Sequence, residues 1–330
     1  MENFVPLPTC STCRPGRPII APTDPAPTGR PLVFGEVLFD VFDGDTEVLG
    51  GAPFNVAWHL RGFGLEPRFL GARGDDARGR RIAEAFDAHG LDRTGLQITP
   101  DHPTGVVHAE VDGADVTYDI VTDVAWDHVD AADASAAVED LDASILVHGS
   151  LALRAEDTRA AFEAVRDRID APLFCDANLR PPHTPIERVR AVLDHATWAK
   201  VNDDELAALT DARVEVPSDA ADAAVVLARR HDLRAVIVTL GAQGACHVSD
   251  QGEAVFVPAP PLDHVVDPVG AGDAFASVTV IGLLHGWLPA VMLERAHAFA
   301  GRIVGRRGAT LDDPAEYARI VATWQEVSDE

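Results

Sequence analysis

Short apolar runs alternate along most of this chain with longer segments in which apolar residues recur at helical spacing. The short runs are rich in β-branched residues and predict strands at 32–35, 68–71, 145–147, 173–175, 198–201, 235–239 and 254–257. The longer segments predict helices at 52–62, 78–89, 155–167, 186–195, 203–210, 220–231, 274–287 and 293–304. Repeated strand–helix alternation predicts an α/β fold with a mostly parallel sheet flanked by helices.

One segment departs from this rhythm, because residues 106–121 alternate apolar and polar positions around Asp112-Gly113. The pattern predicts a β-hairpin with one exposed face, which does not suit a sheet buried on both sides. We therefore expect a small β lid, formed by residues 40–48 and 104–129, over a site at the carboxyl edge of the main sheet. Residues 1–30 contain seven prolines and no periodic pattern, which predicts a flexible extension before one domain at 31–330.

The net charge of the chain limits the classes of partner that it can bind. Its 330 residues include 53 acidic and 27 basic side chains, and a net charge of −26 disfavours nucleic acid and anionic membranes as partners. No apolar run reaches the roughly 20 residues that span a bilayer, and no signal-peptide pattern opens the chain, so we expect a cytoplasmic protein. Lys200 is the only lysine. High acidity with one lysine predicts a halophilic protein; a GC-rich genome that favours arginine codons is the alternative.

The four cysteines do not form a recognisable framework. Cys10 and Cys13 make a lone C-x-x-C in the proline-rich extension, and no second pair or nearby histidine completes the four ligands of a structural zinc site. A metal-binding interaction module at this pair is the alternative to a spacer without function. Cys175 and Cys246 lie in apolar runs and are predicted to be core residues.

The most informative segment is 267–275, which reads Asp-Pro-Val-Gly-Ala-Gly-Asp-Ala-Phe. It lies between an apolar run at 264–266, predicted to be extended, and the helix predicted from Ala274. A helix N-terminus presents unpaired N–H groups and favours negative charge, so it suits a phosphate. A carboxylate at Asp273 would repel that anion unless it serves as a base toward an attacking hydroxyl. The alternative is a tight turn with Asp273 as a helix cap.

Several common motifs are missing. The chain has no P-loop, no G-x-G-x-x-G that follows a strand, no G-x-S-x-G and no H-E-x-x-H, which argues against the chemistry of each. Five segments, in order, instead resemble the ribokinase-like (PfkB-type) carbohydrate kinases, and among them the bacterial fructokinases. These segments are Gly35–Asp40, Gly50–Ala57, Asn202–Glu205, Thr239–Gly244 and the segment 267–275 described above.

The resemblance implies a ribokinase-like three-layer fold and an ATP-dependent kinase for a sugar hydroxyl, most simply fructose. It implies Asp273 as the general base and the backbone of Gly270, Ala271 and Gly272 as an anion hole for the transferred phosphoryl group. The residues implied in substrate binding are Asp40, Gly50, Gly51, Asn55 and Arg180. Rival interpretations are a kinase for ribose, 2-keto-3-deoxygluconate or adenosine, and a non-catalytic sugar or nucleotide sensor.

The resemblance also implies the cofactor sites. ATP would contact Asn202, Thr239, Gly241, Gly244 and His297, the last of these at the adenine. Glu205 is similar to the family residue that organises Mg²⁺, through water. Asp267 and Val269 match two positions of a monovalent-cation site that would take K⁺. Lid strands of this family often pair between subunits, which implies a homodimer with a small-molecule sugar as the other partner.

Overall fold

The computed structural model describes residues 29–42, 46–112, 115–262 and 264–326. Its strands are β1 Arg30–Phe34, β2 Leu38–Phe42, β3 Thr46–Gly50, β4 Arg68–Gly74, β5 Leu96–Thr99, β6 Gly105–Asp112, β7 Asp115–Ile120, β8 Ala143–His148, β9 Leu173–Asp176, β10 Trp198–Asn202, β11 Ala235–Thr239, β12 Ala245–Ser249 and β13 Ala254–Val257. Its α-helices are α1 Ala52–Gly62, α2 Ala77–His89, α3 Ala131–Ala136, α4 Glu156–Arg166, α5 Ile186–Leu193, α6 Asp203–Thr210, α7 Pro217–Arg230, α8 Ala271–Leu284, α9 Pro289–Val304 and α10 Pro314–Glu326.

Nine strands form the main sheet in the order β13-β12-β11-β10-β9-β8-β1-β4-β5. All pairings from β11 through to β5 are parallel. At the other edge β12 pairs antiparallel with both β11 and β13. Because parallel strands all end at one edge, the loops that follow β1, β9, β10 and β11 meet there. The predicted mostly parallel sheet is confirmed.

Successive residues of each strand point into opposite cores, which explains the apolar runs in the sequence. Val33 on β1 packs into one core with helices α1, α2, α8, α9 and α10, whereas its neighbours Leu32 and Phe34 pack with α3 and α4 on the opposite face. Helices α5, α6 and α7 cover the rest of that second face. Helix α8 is apolar on almost every side because it lies inside the first core, where ten of its residues are buried. None of the described helices combines the length and the apolarity needed to cross a membrane.

A second sheet of four strands, in the order β3-β2-β6-β7, stands apart from the main one. Strands β6 and β7 form the predicted hairpin, with Val107 opposite Ile120, and β2 joins β6 in parallel. The polar–apolar alternation of 106–121 therefore did indicate a separate sheet.

The sequence-based prediction was wrong at some boundaries. Residues 264–266 form no strand, because the N–H of Val266 donates to the carbonyl of Val304 on α9 and not to a neighbouring strand. The side chains of Val265 and Val266 are 66% and 53% exposed. Helix α8 begins at Ala271, three residues before the predicted start. Strands β5 and β12 and helices α3 and α10 were not predicted. Cys175 and Cys246 are buried and free, as expected, whereas Cys10 and Cys13 lie outside the described residues.

Candidate active site

The N-terminus of α8 lies at the carboxyl edge of the main sheet. Gly270 is its N-cap in a left-handed conformation (φ 80°), and a β-carbon there would lie 2.6 Å from Cα of Ala309. Only glycine fits both the conformation and the space. Ala271 and Gly272 form the first turn, where the helix itself offers no acceptors to their N–H groups. The N–H of Ala271 makes one long bond, 3.3 Å, to the carbonyl of Pro268. The turn is therefore shaped to receive an anion.

Asp273 occupies the third position of α8, and its carboxylate faces α1. Asn55, a residue of α1 that is 4% exposed, donates from Nδ2 to Oδ2 of Asp273 across 2.8 Å. Burial raises the pKa of Asp273 to about 6, although the hydrogen bond from Asn55 acts in the opposite direction. The N-cap of α8 is Gly270, which has no side chain, and the hydrogen bond of Asp273 comes from Asn55 on another helix, so the geometry does not show Asp273 as a helix cap.

Two further carboxyl groups accompany Asp273. Burial, together with the nearby charge of Asp273, raises the pKa of Asp40 on β2 to about 6. Glu36 follows β1, is 3% exposed, and has a buried Oε2 without a hydrogen-bond partner. Burial raises the pKa of Glu36 to about 7. Glu36 was not among the predicted site residues; its signal in the sequence was an acid set between apolar strands, which only a ligand or a proton would make tolerable.

The glycines before α1 leave space beside these acids. A β-carbon on Gly50 would lie 2.9 Å from Oδ2 of Asp40, and one on Gly51, whose φ is 111°, would lie 2.7 Å from the carbonyl of Glu36. Beside them, Oδ1 of Asn55 is buried and unpaired. A buried polar atom without a partner is costly, so this cluster is suited to a polyhydroxylated ligand that supplies donors.

A buried ion pair lies beside the first turn of α8. Lys200 on β10 holds both carboxylate oxygens of Asp176 at 2.9 Å, and each side chain is no more than 10% exposed. Burial lowers the pKa of Lys200, but the carboxylates of Asp176 and Glu205 outweigh it and leave the pKa raised. A β-carbon on Gly272 would lie 3.6 Å from Nζ of Lys200. This cation was not predicted as a site residue, although it is the only lysine in the sequence.

Asn202 and Glu205 form a capping box at the start of α6. Oδ1 of Asn202 accepts from the N–H of Glu205, and Oε2 of Glu205 accepts from the N–H of Asn202, both at 2.8 Å. Oε1 of Glu205 accepts from the N–H of Leu179 at 2.7 Å. Each carboxylate oxygen keeps a second lone pair, so Glu205 can still accept from a water molecule. Its pKa is raised, first by burial and then by Asp176.

The predicted nucleotide residues lie around the end of β11. Gly241 has φ 53°, and a β-carbon added there would have nothing within 4 Å, so its backbone is open to a ligand. Gly244 has φ 135°, and a β-carbon there would lie 2.8 Å from Cα of Pro258. Its backbone conformation and its packing therefore both require glycine. Thr239 is half-buried at the end of β11. His297 is 9% exposed on α9 and packs edge-on against Phe275, with Nε2 buried and unpaired.

The remaining predicted residues lie at the rim. Arg180 is exposed, and its charge lowers the pKa values of Glu36, Asp40 and Asp273, partly offsetting their burial. The carboxylate of Asp267 accepts from the N–H of Val269 at 3.0 Å and of Gly308 at 3.3 Å. It therefore holds the turn before α8 in place.

Comparison with known proteins agrees with this arrangement. A model of the pfkB family carbohydrate kinases matches residues 42–316. The bifunctional protein HldE of Rhodopseudomonas palustris strain BisB18 is 31% identical over 282 residues, which cover 84% of this chain and 56% of that protein. Probable fructokinase-5 of Arabidopsis thaliana is 29% identical over 284 residues, covering 77% of this chain and 83% of that one.

Among solved structures, the fructokinase of Xylella fastidiosa with bound ATP superposes with a TM-score of 0.74 at 23% identity, over 89% of this chain and 98% of that chain. The predicted three-layer ribokinase-like fold is thus confirmed. The fold, and a helix N-terminus that carries Asp273 beside a cluster of buried polar groups, are those of a carbohydrate kinase. The chain belongs to the pfkB family of carbohydrate kinases. The chain spans little more than half the length of the HldE proteins that it matches.

Proposed function

We propose that this protein transfers the terminal phosphoryl group of ATP to a hydroxyl group of a sugar, most simply fructose. The observation that carries the proposal is the hydrogen bond from Asn55 to Asp273 at the edge of an open anion-binding turn. A base and an anion hole on adjacent backbone positions are what phosphoryl transfer to an alcohol requires.

In this mechanism Asp273 removes the proton from the attacking hydroxyl group. The raised pKa of about 6 keeps it a carboxylate near neutral pH and brings its basicity closer to the operating range. The N–H groups of Gly270, Ala271 and Gly272 hold the oxygens of the transferred phosphoryl group. Asp40, Asn55 and the backbone at Gly50 and Gly51 orient the sugar. Glu36 joins them, since its unpaired oxygen lies buried in the same cluster.

The nucleotide would lie along the loop after β11, where Gly241 leaves its backbone open. Mg²⁺ bound to ATP keeps several waters, and Glu205 would accept from one of them. Lys200 would add a positive charge beside Gly272, where it could stabilise negative charge on the transferred phosphoryl group. K⁺ at Asp267 and Val269 stays a prediction. So does a homodimer through the four-stranded sheet, whose edge strands β3 and β7 are open to pairing.

The first test is a substrate panel of fructose, ribose, 2-keto-3-deoxygluconate and adenosine with MgATP, with formation of both ADP and the phosphorylated product measured. Asp273→Asn should lower kcat for the best substrate by about 10²–10⁴, the usual contribution of a general base, and should leave ATP binding in place. A kinase with unchanged turnover in Asp273→Asn would refute the mechanism. Sugar binding without ADP production in the parent protein would favour the sensor.

A further inference from the structure

A cluster of metal-ligating side chains lies outside the candidate active site, in the loops at the base of the β6–β7 hairpin. Nε2 of His128 lies 2.8 Å from Oδ1 of Asp123, and Nδ1 of His102 lies 3.4 Å from the same oxygen. One ligand atom from each residue falls within 4.8 Å of the other two. In a tetrahedral site with bonds of about 2.0–2.2 Å, neighbouring ligand atoms lie about 3.3 Å apart. The His102–Asp123 separation is close to that value, whereas the shorter His128–Asp123 contact is a hydrogen bond that an ion would replace.

A fourth residue gives this cluster a second feature of metal sites. Nδ1 of His128, the ring nitrogen that faces away from Asp123, lies 3.1 Å from Oδ2 of Asp157 in the first turn of α4. A histidine that ligates a metal commonly donates its other N–H to a carboxylate, which fixes the tautomer and the ring direction. Asp157 is in position to do this for His128 and leaves Nε2 as the ligand.

The rest of the geometry bears on which ion would fit. The rings of His102 and His128 are stacked, with centroids 3.5 Å apart and planes 15° from parallel, so at least one ring would have to rotate out of the stack before both nitrogens could point at one ion. His102 and His128 are only partly exposed, whereas the side chain of Asp123 is 77% exposed, so solvent can reach the site. Two imidazoles and one carboxylate suit Zn²⁺ and its first-row neighbours better than Mg²⁺ or Ca²⁺, which prefer oxygen.

We propose that His102, Asp123 and His128 bind a divalent transition-metal ion, with water completing its coordination. Within the described chain these residues flank the hairpin, since His102 precedes β6 by three residues and Asp123 follows β7 by three. The ion would tie the two ends of the hairpin to each other, and through Asp157 to α4 in the helix layer of the main sheet. Its role is to stiffen the base of the four-stranded sheet, and it does not depend on the identity of the sugar.

The test uses the full chain with Cys10→Ser and Cys13→Ser, which removes the other candidate ligands for zinc. After treatment with a chelator, this parent is titrated with Zn²⁺ by isothermal calorimetry. We expect one saturable site. Asp157→Asn should weaken it by about 10–100-fold, the usual effect of losing a partner of a ligating histidine. His128→Ala should weaken it further. His195→Ala, which removes an exposed histidine elsewhere, should leave it unchanged.

Hydrogen exchange locates the ion independently of affinity. Zn²⁺ should slow exchange of amides in 102–105 and 120–128 in the parent and not in His128→Ala. Absence of saturable binding in the parent would overturn the proposal. So would equal binding by the parent and by both His128→Ala and Asp157→Asn, since the ion would then lie elsewhere. Because Asp157→Asn leaves all three ligands in place, it keeps the test decisive if His128→Ala fails to fold.

Discussion

Replacing Asn55 by leucine, which has a similar size, removes the hydrogen bond to the carboxylate of Asp273 and leaves the base itself in place. Asp273 acts as a base only when ionised, so turnover should rise with pH through its pKa, which is raised to about 6 by burial. The 2.8 Å bond from Nδ2 of Asn55 favours the ionised form. Its loss must therefore raise the pKa of Asp273 and move the acidic limb of the pH profile upward.

The size of this displacement follows from the geometry. A hydrogen bond to a charged group is worth about 1.5–3 kcal/mol, and a change of one pH unit corresponds to about 1.4 kcal/mol. Asp273 is half-buried, so water replaces part of the lost bond and roughly half of that energy should survive. We therefore expect the acidic limb of Asn55→Leu to lie about one pH unit above that of the unmodified protein.

The assay measures kcat at saturating sugar and MgATP from about pH 5 to about pH 9, by direct quantification of the phosphorylated product. Gly50→Ala is the matched control, because its β-carbon would crowd Asp40 and weaken sugar binding without touching Asp273. Ionisation of the nucleotide would give the same limb in both variants. A limb that stays in place in Asn55→Leu, or that moves by the same amount in Gly50→Ala, would refute Asp273 as the titrating base.

Three other outcomes are expected. Lys200→Met leaves Asp176 buried without its partner and should lower the free energy of unfolding by about 3–5 kcal/mol in urea denaturation. The double variant with Asp176→Asn should recover part of the lost stability. A smaller loss in the single variant would contradict a buried ion pair. Gly270→Ala brings a β-carbon to 2.6 Å from Cα of Ala309 and should reduce kcat at least tenfold, because it moves the proposed anion-binding turn. A normal kcat would show that this turn does not take part in phosphoryl transfer. Raising salt from about 0.1 M to about 1 M shortens the Debye length from about 10 Å to about 3 Å, so a chain of net charge −26 should gain thermal stability; an unchanged or lower Tm would argue for codon bias instead of salt adaptation.

The sequence predicted the layers of the fold well where a strand is buried on both faces. The run at β11 is almost wholly apolar and β-branched, and it appears as predicted. Strand β12 was missed because His247 interrupts a short run and its pairing is antiparallel, near the edge of the sheet. Residues 264–266 were wrongly predicted to be extended because the run is apolar, although its side chains remain exposed in the fold.

Some features of the candidate site could also be predicted from the sequence, and others could not. Asp273 could be found from the sequence because glycines and an acid share one short segment at a helix start. Its contact with Asn55 could not, since 218 residues separate the two. Lys200 and the His102–Asp123–His128 cluster were missed because their significance arises only when the fold brings separate segments together. Asn202 and Glu205, for which the resemblance implied contacts with ATP and Mg²⁺, form a helix cap in the fold.

The single lysine gives this protein one specific site for chemical labelling of a side-chain amine. Lys200 is 5% exposed and bound to Asp176, so its amine is shielded and protonated while the native packing lasts. An acylating reagent that attacks only neutral amines therefore has one side-chain target in the sequence, and that target becomes reactive only when the packing beside the first turn of α8 opens. The rate of labelling at this position would measure local opening of the proposed active site directly, without any engineered probe.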